Sequence, residues 1–77
     1  MVAGQLIDLI HRFNRIKDYS MNDKKRIEGY ERLLADMKEA FEIEDEREFK
    51  RVNRVIWDIY DAIRYEKEEL ENALVRN

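Results

Sequence analysis

The sequence predicts an all-α protein, a three-helix bundle of antiparallel amphipathic helices in which the third helix is the longest. Three series of apolar residues recur three and four positions apart, which is the spacing that lines one face of a helix. The chain has no proline, and 43% of its residues are charged although the net charge is only −3. That composition favours long solvated helices in a single domain, residues 1–77.

The first helix is predicted over about residues 4–18. Its apolar face is formed by Leu6, Leu9, Phe13 and Ile16. We expect it to end before Ser20, because Ser20 and Asp23 have the S-x-x-D spacing of a capping box that begins the next helix. Asn22 is the alternative N-cap, since its side chain can also accept from the first free backbone N–H groups.

The second helix is predicted from about residue 21 or 23 to residue 42. Its apolar face is formed by Ile27, Tyr30, Leu34, Met37 and Phe41. Asp45 and Glu48 are again three apart, and the acidic residues around them favour a helix N-terminus, where carboxylates lie near the positive end of the macrodipole. No glycine or proline enforces this boundary, so one bent helix in place of the second and third helices is the alternative.

The third helix is predicted over about residues 46–75, or roughly 45 Å, against roughly 30 Å and 22 Å for the other two. Its apolar face is formed by Phe49, Val52, Ile56, Ile59 and Ile63. A charged interruption at 66–69 separates these residues from Leu70 and Leu74. The end of this helix is therefore predicted to overhang the bundle, with Leu70 and Leu74 as the self-association site of a homodimer or higher oligomer.

The residues of these three series are predicted to form the hydrophobic core. Each contributes roughly 1.5–3 kcal/mol on burial, against a conformational entropy cost of similar total size. The small margin that remains is a second reason to expect self-association. Gly29 is predicted on the polar side of the second helix, either as a tolerated surface glycine or as a point of close approach.

The sequence offers no catalytic residues, so we expect a protein that is not an enzyme and has no cofactor. It contains no cysteine, which excludes thiol chemistry and disulfides. The only histidine, His11, lies opposite the apolar face of the first helix and has no carboxylate three or four positions later. Ser20 has no neighbouring base to activate it and is explained as a cap.

A magnesium site is the third hypothesis, because Asp58 and Asp61 form a helical pair of acids, as do Glu28 and Glu31. Paired acids of this kind occur in helical bundles that hydrolyse nucleotides. Magnesium needs several converging oxygen ligands, whereas Asp58 and Asp61 are predicted to point outward beside Arg54. We therefore predict no metal site.

Four cations fall on one face of the third helix at positions i, i+3, i+4 and i+7. This basic stripe consists of Arg47, Lys50, Arg51 and Arg54. It is predicted to be exposed, where it could follow the phosphates of a nucleic acid or contact an acidic protein surface. The alternative is a solvated stripe that is paired with nearby acids, namely Glu44, Asp45, Glu48 and Asp58.

Trp57 is the leading candidate for partner binding. It lies about 110–120° from the centre of the apolar face of the third helix. Its helical neighbours include Lys50, Arg54, Asp61 and Arg64, and aromatic residues framed by arginine are typical of interface hot spots. We therefore expect an indole that is at least partly wet; the alternative is a central third helix that buries it.

The leading functional hypothesis is a non-enzymatic protein–protein interaction module, a regulator or inhibitor of a larger protein partner. Its small size and lack of motifs suggest a phage or mobile-element protein. The second hypothesis is a nucleic-acid accessory protein that uses the basic stripe. The N-terminal residues lack the basic region and unbroken apolar run of a signal peptide, and no stretch is long enough for a membrane span, so a cytoplasmic location is expected.

Overall fold

The computed structural model describes residues 3–18 and 22–76, and within them the chain is all-α, as predicted. It contains four helices: α1 (Ala3–Asp18), α2 (Asp23–Ala40), α3 (Glu46–Val52) and α4 (Arg54–Arg76). The single third helix predicted over 46–75 is wrong, because the chain leaves helical geometry at Asn53, with φ −127° and ψ 67°.

Helix α1 packs against α2 through contacts that occur in opposite order along the two helices. Arg12 Nη2 lies 2.8 Å from Asp36 Oδ2, whereas Ile16, further along α1, faces Gly29, which is earlier in α2. A Cβ atom on Gly29 would lie only 3.1 Å from Ile16 Cδ1. Gly29 therefore marks a close approach of the two helices, and its predicted position on the polar side of α2 is wrong.

The N-terminus of α2 is capped by Asn22. Its side-chain oxygen accepts a hydrogen bond of 2.8 Å from the backbone N–H of Lys25. This confirms Asn22 as the N-cap, while Ser20 lies outside the described residues. Nearby, Arg26 Nη2 donates to the carbonyl oxygen of Lys17 in the last turn of α1, at 3.5 Å.

The C-terminus of α2 ends in a Schellman motif that contains no glycine. The N–H of Ile43 donates to the carbonyl of Lys38 at 2.9 Å, and the N–H of Glu42 donates to that of Glu39 at 3.4 Å. Glu42 occupies the left-handed position that glycine usually takes, with φ 53°. The turn reverses the chain within a few residues and buries Ile43 in the core.

Helix α3 begins at the boundary that the sequence predicted. Asp45 is its N-cap, and its side-chain oxygen accepts from the backbone N–H of Glu48 at 3.2 Å. The helix then ends at Val52, and Asn53 connects it to α4 by accepting a backbone hydrogen bond from Trp57 at 2.9 Å.

Helix α3 folds back along α4 instead of continuing it. Glu46 on α3 contacts both Tyr60 and Arg64 on α4. In one straight helix the backbones of residues 46 and 60 would be about 21 Å apart, at 1.5 Å per residue. The alternative of one bent helix in place of the second and third helices is also wrong, because α2 ends before Glu42, whose φ is 53°, and α3 begins anew at its N-cap Asp45.

Most of the predicted core is buried or half-buried. The contiguous buried cluster consists of Leu9, Ile16, Tyr30, Leu33, Met37, Ile43, Phe49, Trp57, Tyr60 and Ile63. Val52 is wrongly assigned to the core: it is 62% exposed, because it is the last residue of α3 and the break turns it outward. Leu33 is fully buried, and Leu34, which was predicted in its place, is half-buried.

The helices form a flat body with extents of 39 × 25 × 16 Å. Helix α2 makes the main contacts with both α1 and α4, and α3 packs on α4. Within residues 3–18 and 22–76, no helix combines the length and the apolar character that a membrane span requires.

Candidate protein-interaction surface

Trp57 is buried, so the expectation of a wet indole is wrong. Only 7% of the residue is exposed, and its ring lies 5.5 Å from that of Tyr60. After the break at Asn53, the buried face of α4 is set by Trp57, Tyr60 and Ile63, three residues apart. Arg64 does not keep the site wet: its guanidinium carbon lies over the indole, 5.3 Å from the ring centre. A planar guanidinium can stack on an aromatic face and cover it.

The same guanidinium belongs to a polar network that holds α3 on α4, here called the α3 clamp (Glu46, Tyr60, Asp61 and Arg64). Glu46 accepts from the Tyr60 hydroxyl at 3.1 Å and from Arg64 Nη1 at 2.9 Å. Arg64 Nη2 also donates to Asp61 at 3.2 Å. The structure thus places two of the predicted partner-binding residues, Arg64 and Asp61, in contacts within the chain.

The α3 clamp changes the acidity of its tyrosine. Burial, the hydrogen bond to Glu46 and the negative charge of Glu46 together raise the pKa of the Tyr60 hydroxyl to about 12, and burial is the largest of these causes. The positive charge of Arg64 opposes this effect only in part. Tyr60 therefore keeps its proton well above neutral pH, which it needs in order to donate to Glu46.

Tyr30 has a buried hydroxyl with no hydrogen-bond partner among the described residues. The residue is fully buried, and its ring lies 5.9 Å from that of Phe13 in an edge-to-face arrangement. Burial raises the pKa of Tyr30, while Arg26, whose side chain approaches the hydroxyl without reaching hydrogen-bond geometry, lowers it through this approach and through its positive charge. Arg26 is thus close enough to act through its charge, but its Nε atom is also without a partner.

The basic stripe is exposed, as predicted, but it is partly neutralised. Arg51 Nη2 lies 2.6 Å from Glu48 Oε1, and Arg54 Nε lies 3.1 Å from Asp58 Oδ1. The break at Asn53 also separates Arg54 from the other three cations, which lie on α3. Within the described part of the chain, Arg47 and Lys50 make no ion pair. Both are exposed, so they are the part of the basic stripe that remains available to a partner.

A groove lies between the α2–α3 connection and the end of α3. Its apolar floor is formed by Phe41, Phe49 and Val52. The remaining lining residues are polar: Glu42, Glu44, Asp45, Glu48 and Asn53. We call this feature the acid-rimmed groove.

Two exposed valines lie on either side of the break at Asn53, and the first of them, Val52, lines the acid-rimmed groove. Val52, at the end of α3, is 62% exposed, and Val55, in the first turn of α4, is 70% exposed. Together with the groove they form what we call the junction surface. Sequence reasoning missed this surface because Phe41, Phe49 and Val52 matched the apolar face of a helix. The available signal was the run of acids from Glu42 to Glu48, which indicated only a helix boundary.

The two leucines predicted to mediate self-association differ in their surroundings. Leu70 packs against the core cluster, so its predicted overhang is wrong. The buried face of α4 therefore extends at least to Leu70. One turn later, Leu74 is 45% exposed, and the next residue, Val75, is 86% exposed. Self-association therefore stays a prediction, now for the last turn of α4.

The acidic pairs considered as magnesium ligands lie in other contacts or on the surface. Asp58 pairs with Arg54 and Asp61 pairs with Arg64, while Glu28 and Glu31 are exposed. Among residues 3–18 and 22–76, no three His, Cys, Asp or Glu side chains are grouped so that they could hold a metal ion.

No family model, curated protein or solved structure matches the chain. The functional proposal below therefore depends on the contacts, exposure and charges of the described residues. The junction surface is the feature that combines exposed apolar area with uncompensated charge.

Proposed function

We propose that this chain is a small protein-interaction module that binds a larger partner protein through the junction surface and regulates or inhibits that partner. The observation that supports the proposal is the exposure of Val52, which lines the acid-rimmed groove, and of Val55, which follows it across the break at Asn53. Apolar area that is covered by a partner contributes about 25 cal/mol per Å². Exposed apolar patches with a polar rim are typical of interaction sites.

The residues around the junction surface support this location. Arg47 and Lys50 are exposed on α3 without ion pairs to other described residues, so a partner can contact them without first breaking a salt bridge. Trp57 supports this surface indirectly, because it is part of the buried packing that fixes α4, the helix that carries Val55. In this arrangement the indole supports the interface without touching the partner.

The proposal is tested by a double variant, Val52→Asp with Val55→Asp. Its matched control is Ile7→Asp with Tyr65→Asp, since these residues are also exposed, at 55% and 61%, and the change in charge is equal. Each protein is immobilised, incubated with an extract of the organism that encodes the chain, and the retained proteins are quantified by mass spectrometry. Circular dichroism checks that both variants remain helical.

We expect at least one protein to be retained by the wild type and by the control, and to be reduced at least tenfold with the junction variant. The same protein should form a covalent adduct when a benzophenone amino acid replaces Val52 and the sample is irradiated. Equal retention by the junction variant and its control would show that the junction surface is not the binding site.

A nucleic-acid-binding role is the second candidate, and the unpaired state of Arg47 and Lys50 among the described residues favours it. Phosphate contacts of this kind weaken steeply with salt. Anisotropy of a fluorescein-labelled 20-nucleotide DNA or RNA, measured at low and high salt, tests it. Binding that is lost in an Arg47→Glu, Lys50→Glu variant but kept in the Val52, Val55 variant would support this role over the first.

A further inference from the structure

The rim of the acid-rimmed groove carries negative charge that the described residues do not neutralise. Of the four acids, Glu48 pairs with Arg51, whereas Glu42, Glu44 and Asp45 make no ion pair within residues 3–18 and 22–76. All four are exposed. Two cations, Lys38 and Arg47, line the neighbouring surface together with Glu44 and Asp45, but neither forms an ion pair with a described residue. An apolar floor with an uncompensated acidic rim complements a ligand that is apolar at its centre and basic at its edges.

Glu42 gives an independent indication that this rim has a role beyond folding. Its φ of 53° lies in the left-handed region, where a residue with a Cβ atom is strained. Its carboxylate also follows the C-terminus of α2, where the helix macrodipole disfavours negative charge. A glycine at this position would remove both costs. Residues that break local rules in this way are expected at functional sites.

A second copy of this chain is a poorer occupant of the groove. Its basic residues in the first turn of α2, Lys24, Lys25 and Arg26, lie at the opposite end of that helix from the groove. If these residues docked in the groove of a neighbour, the contact would be head-to-tail and would leave a free groove and a free basic end on every assembly. Such growth does not stop at a defined size.

We propose that the acid-rimmed groove binds a basic amphipathic α-helical segment of the partner protein. An apolar side chain of that segment packs on Phe41, Phe49 and Val52, and its lysine or arginine side chains pair with Glu42, Glu44 and Asp45. This inference depends on the proposed function, because it names the chemistry of the partner that the junction surface binds. Helices that place their apolar face in a groove are a recurrent mode of peptide recognition.

The probes are three fluorescein-labelled 18-residue helical peptides. The first has leucines at i, i+3, i+4 and i+7 and lysines on its other face. The second replaces every lysine by glutamate, and the third replaces every leucine by glutamine. Binding to the whole protein is measured by anisotropy at fixed ionic strength. We expect the first peptide to bind at least tenfold more tightly than either of the others.

A triple variant tests the rim: Glu42→Gln, Glu44→Gln and Asp45→Asn. Asparagine at position 45 keeps the N-cap of α3, because its side-chain oxygen can still accept from Glu48 N–H. The matched control changes three exposed acids that lie outside the groove, Glu28, Glu39 and Glu69, to glutamine. Each variant loses three negative charges, so the net charge changes equally in the two. We expect the rim variant to bind the first peptide at least tenfold more weakly and the control to stay within twofold of the wild type.

Several outcomes would overturn the inference. Equal weakening in the rim variant and the control would show a general attraction between opposite charges, and equal binding of the glutamate peptide would show that the rim has no preference for cations. A protein–protein complex in sedimentation equilibrium that the first peptide dissociates would identify a second copy as the occupant. If the lysine peptide fails while the Val52, Val55 variant still loses its cellular partner, the proposed function stands and only the partner's chemistry is wrong.

Discussion

Arg64 covers the indole of Trp57 with a guanidinium group that is simultaneously bonded to α3. Its Cζ atom lies 5.3 Å from the ring centre, and its Nη1 donates to Glu46 at 2.9 Å. One side chain therefore both covers the aromatic core and holds the short helix that contributes Glu48, Phe49 and Val52 to the acid-rimmed groove. Arg64 itself does not line the groove.

The fluorescence of Trp57 should be that of a buried indole. Because Trp57 is the only tryptophan and is 7% exposed, its emission should be blue-shifted and resistant to quenching by iodide or acrylamide. Trp57→Ala should lower the free energy of unfolding by about 3–5 kcal/mol, as expected for a buried aromatic residue, measured by urea denaturation. A red-shifted emission that iodide quenches readily would contradict the burial described here.

Stability should fall at high pH through Tyr60. The folded protein holds the phenolic proton up to a pKa of about 12, whereas the unfolded chain releases it from pH 10. The contribution of the Tyr60 hydroxyl to the free energy of unfolding is fully present below pH 10. It is lost as the pH rises towards 12, where the free energy of unfolding falls by about 1.4 kcal/mol per pH unit because of this group. Denaturant titrations at pH 9 and 11 should show a smaller decrease for Tyr60→Phe than for the wild type, and an equal decrease would argue against this role of Tyr60.

Replacement by phenylalanine should affect the free energy of unfolding differently at the two buried tyrosines. Tyr60→Phe removes the donor to Glu46 and should lower the free energy of unfolding by about 1–2 kcal/mol. Tyr30→Phe removes a buried hydroxyl without a partner among the described residues, so it should leave stability unchanged or raise it by up to about 1 kcal/mol. Thermal or urea denaturation at pH 7 distinguishes the two, and a large loss for Tyr30→Phe would reveal a partner for its hydroxyl.

Glu42→Gly should stabilise the fold. Glycine adopts a φ of 53° without steric cost and removes a negative charge from the end of α2, so we expect a gain of about 1 kcal/mol. Glu42→Ala is the control, because it removes the charge but keeps a Cβ atom in the left-handed region; it should gain much less. If both variants unfold at the same urea concentration as the wild type, the left-handed position carries no measurable strain.

Self-association through the end of α4 should depend on Leu74. We expect the wild type to form dimers or higher oligomers at tens of micromolar, and Leu74→Glu with Val75→Glu to be monomeric in sedimentation velocity. Both side chains are exposed, at 45% and 86%, so the double variant should keep its helical content. Tyr65→Glu is a control at another exposed position of α4 and should leave the oligomeric state unchanged. A monomeric wild type at that concentration would refute this prediction.

Local chemistry made part of the fold predictable from sequence. Asn22 and Asp45 each cap a helix through a backbone N–H three residues away, so the signal lies within one turn of the chain. The break at Asn53 has no such signal, because asparagine is only a weak helix former. The fold-back depends on Glu46 meeting side chains 14 and 18 residues later, which periodicity does not encode.

The candidate site was less predictable than the fold. The exposure of Trp57 was predicted from its angular position on one continuous helix over 46–75. Because that helix is broken at Asn53, the apolar residues before the break do not define the buried face of α4, and Trp57 lies on that face. The charges at the rim of the groove are visible in the sequence, but the floor is not, since Phe41 at the end of α2 meets Phe49 and Val52 of α3 only through the turn that joins the two helices.

Helix α3 has only seven residues, and an isolated helix of that length does not persist in water because nucleation costs more than so few hydrogen bonds return. Its backbone amides are therefore expected to exchange with solvent through local opening, at a free energy set by the contacts of Glu46 and Phe49, and independently of global unfolding. A partner that occupies the groove would have to bind the closed form and would slow exchange within this one helix. The protection of the hydrogen-bonded amides of α3, from Glu48 onward, thus becomes a direct measure of occupancy at the groove.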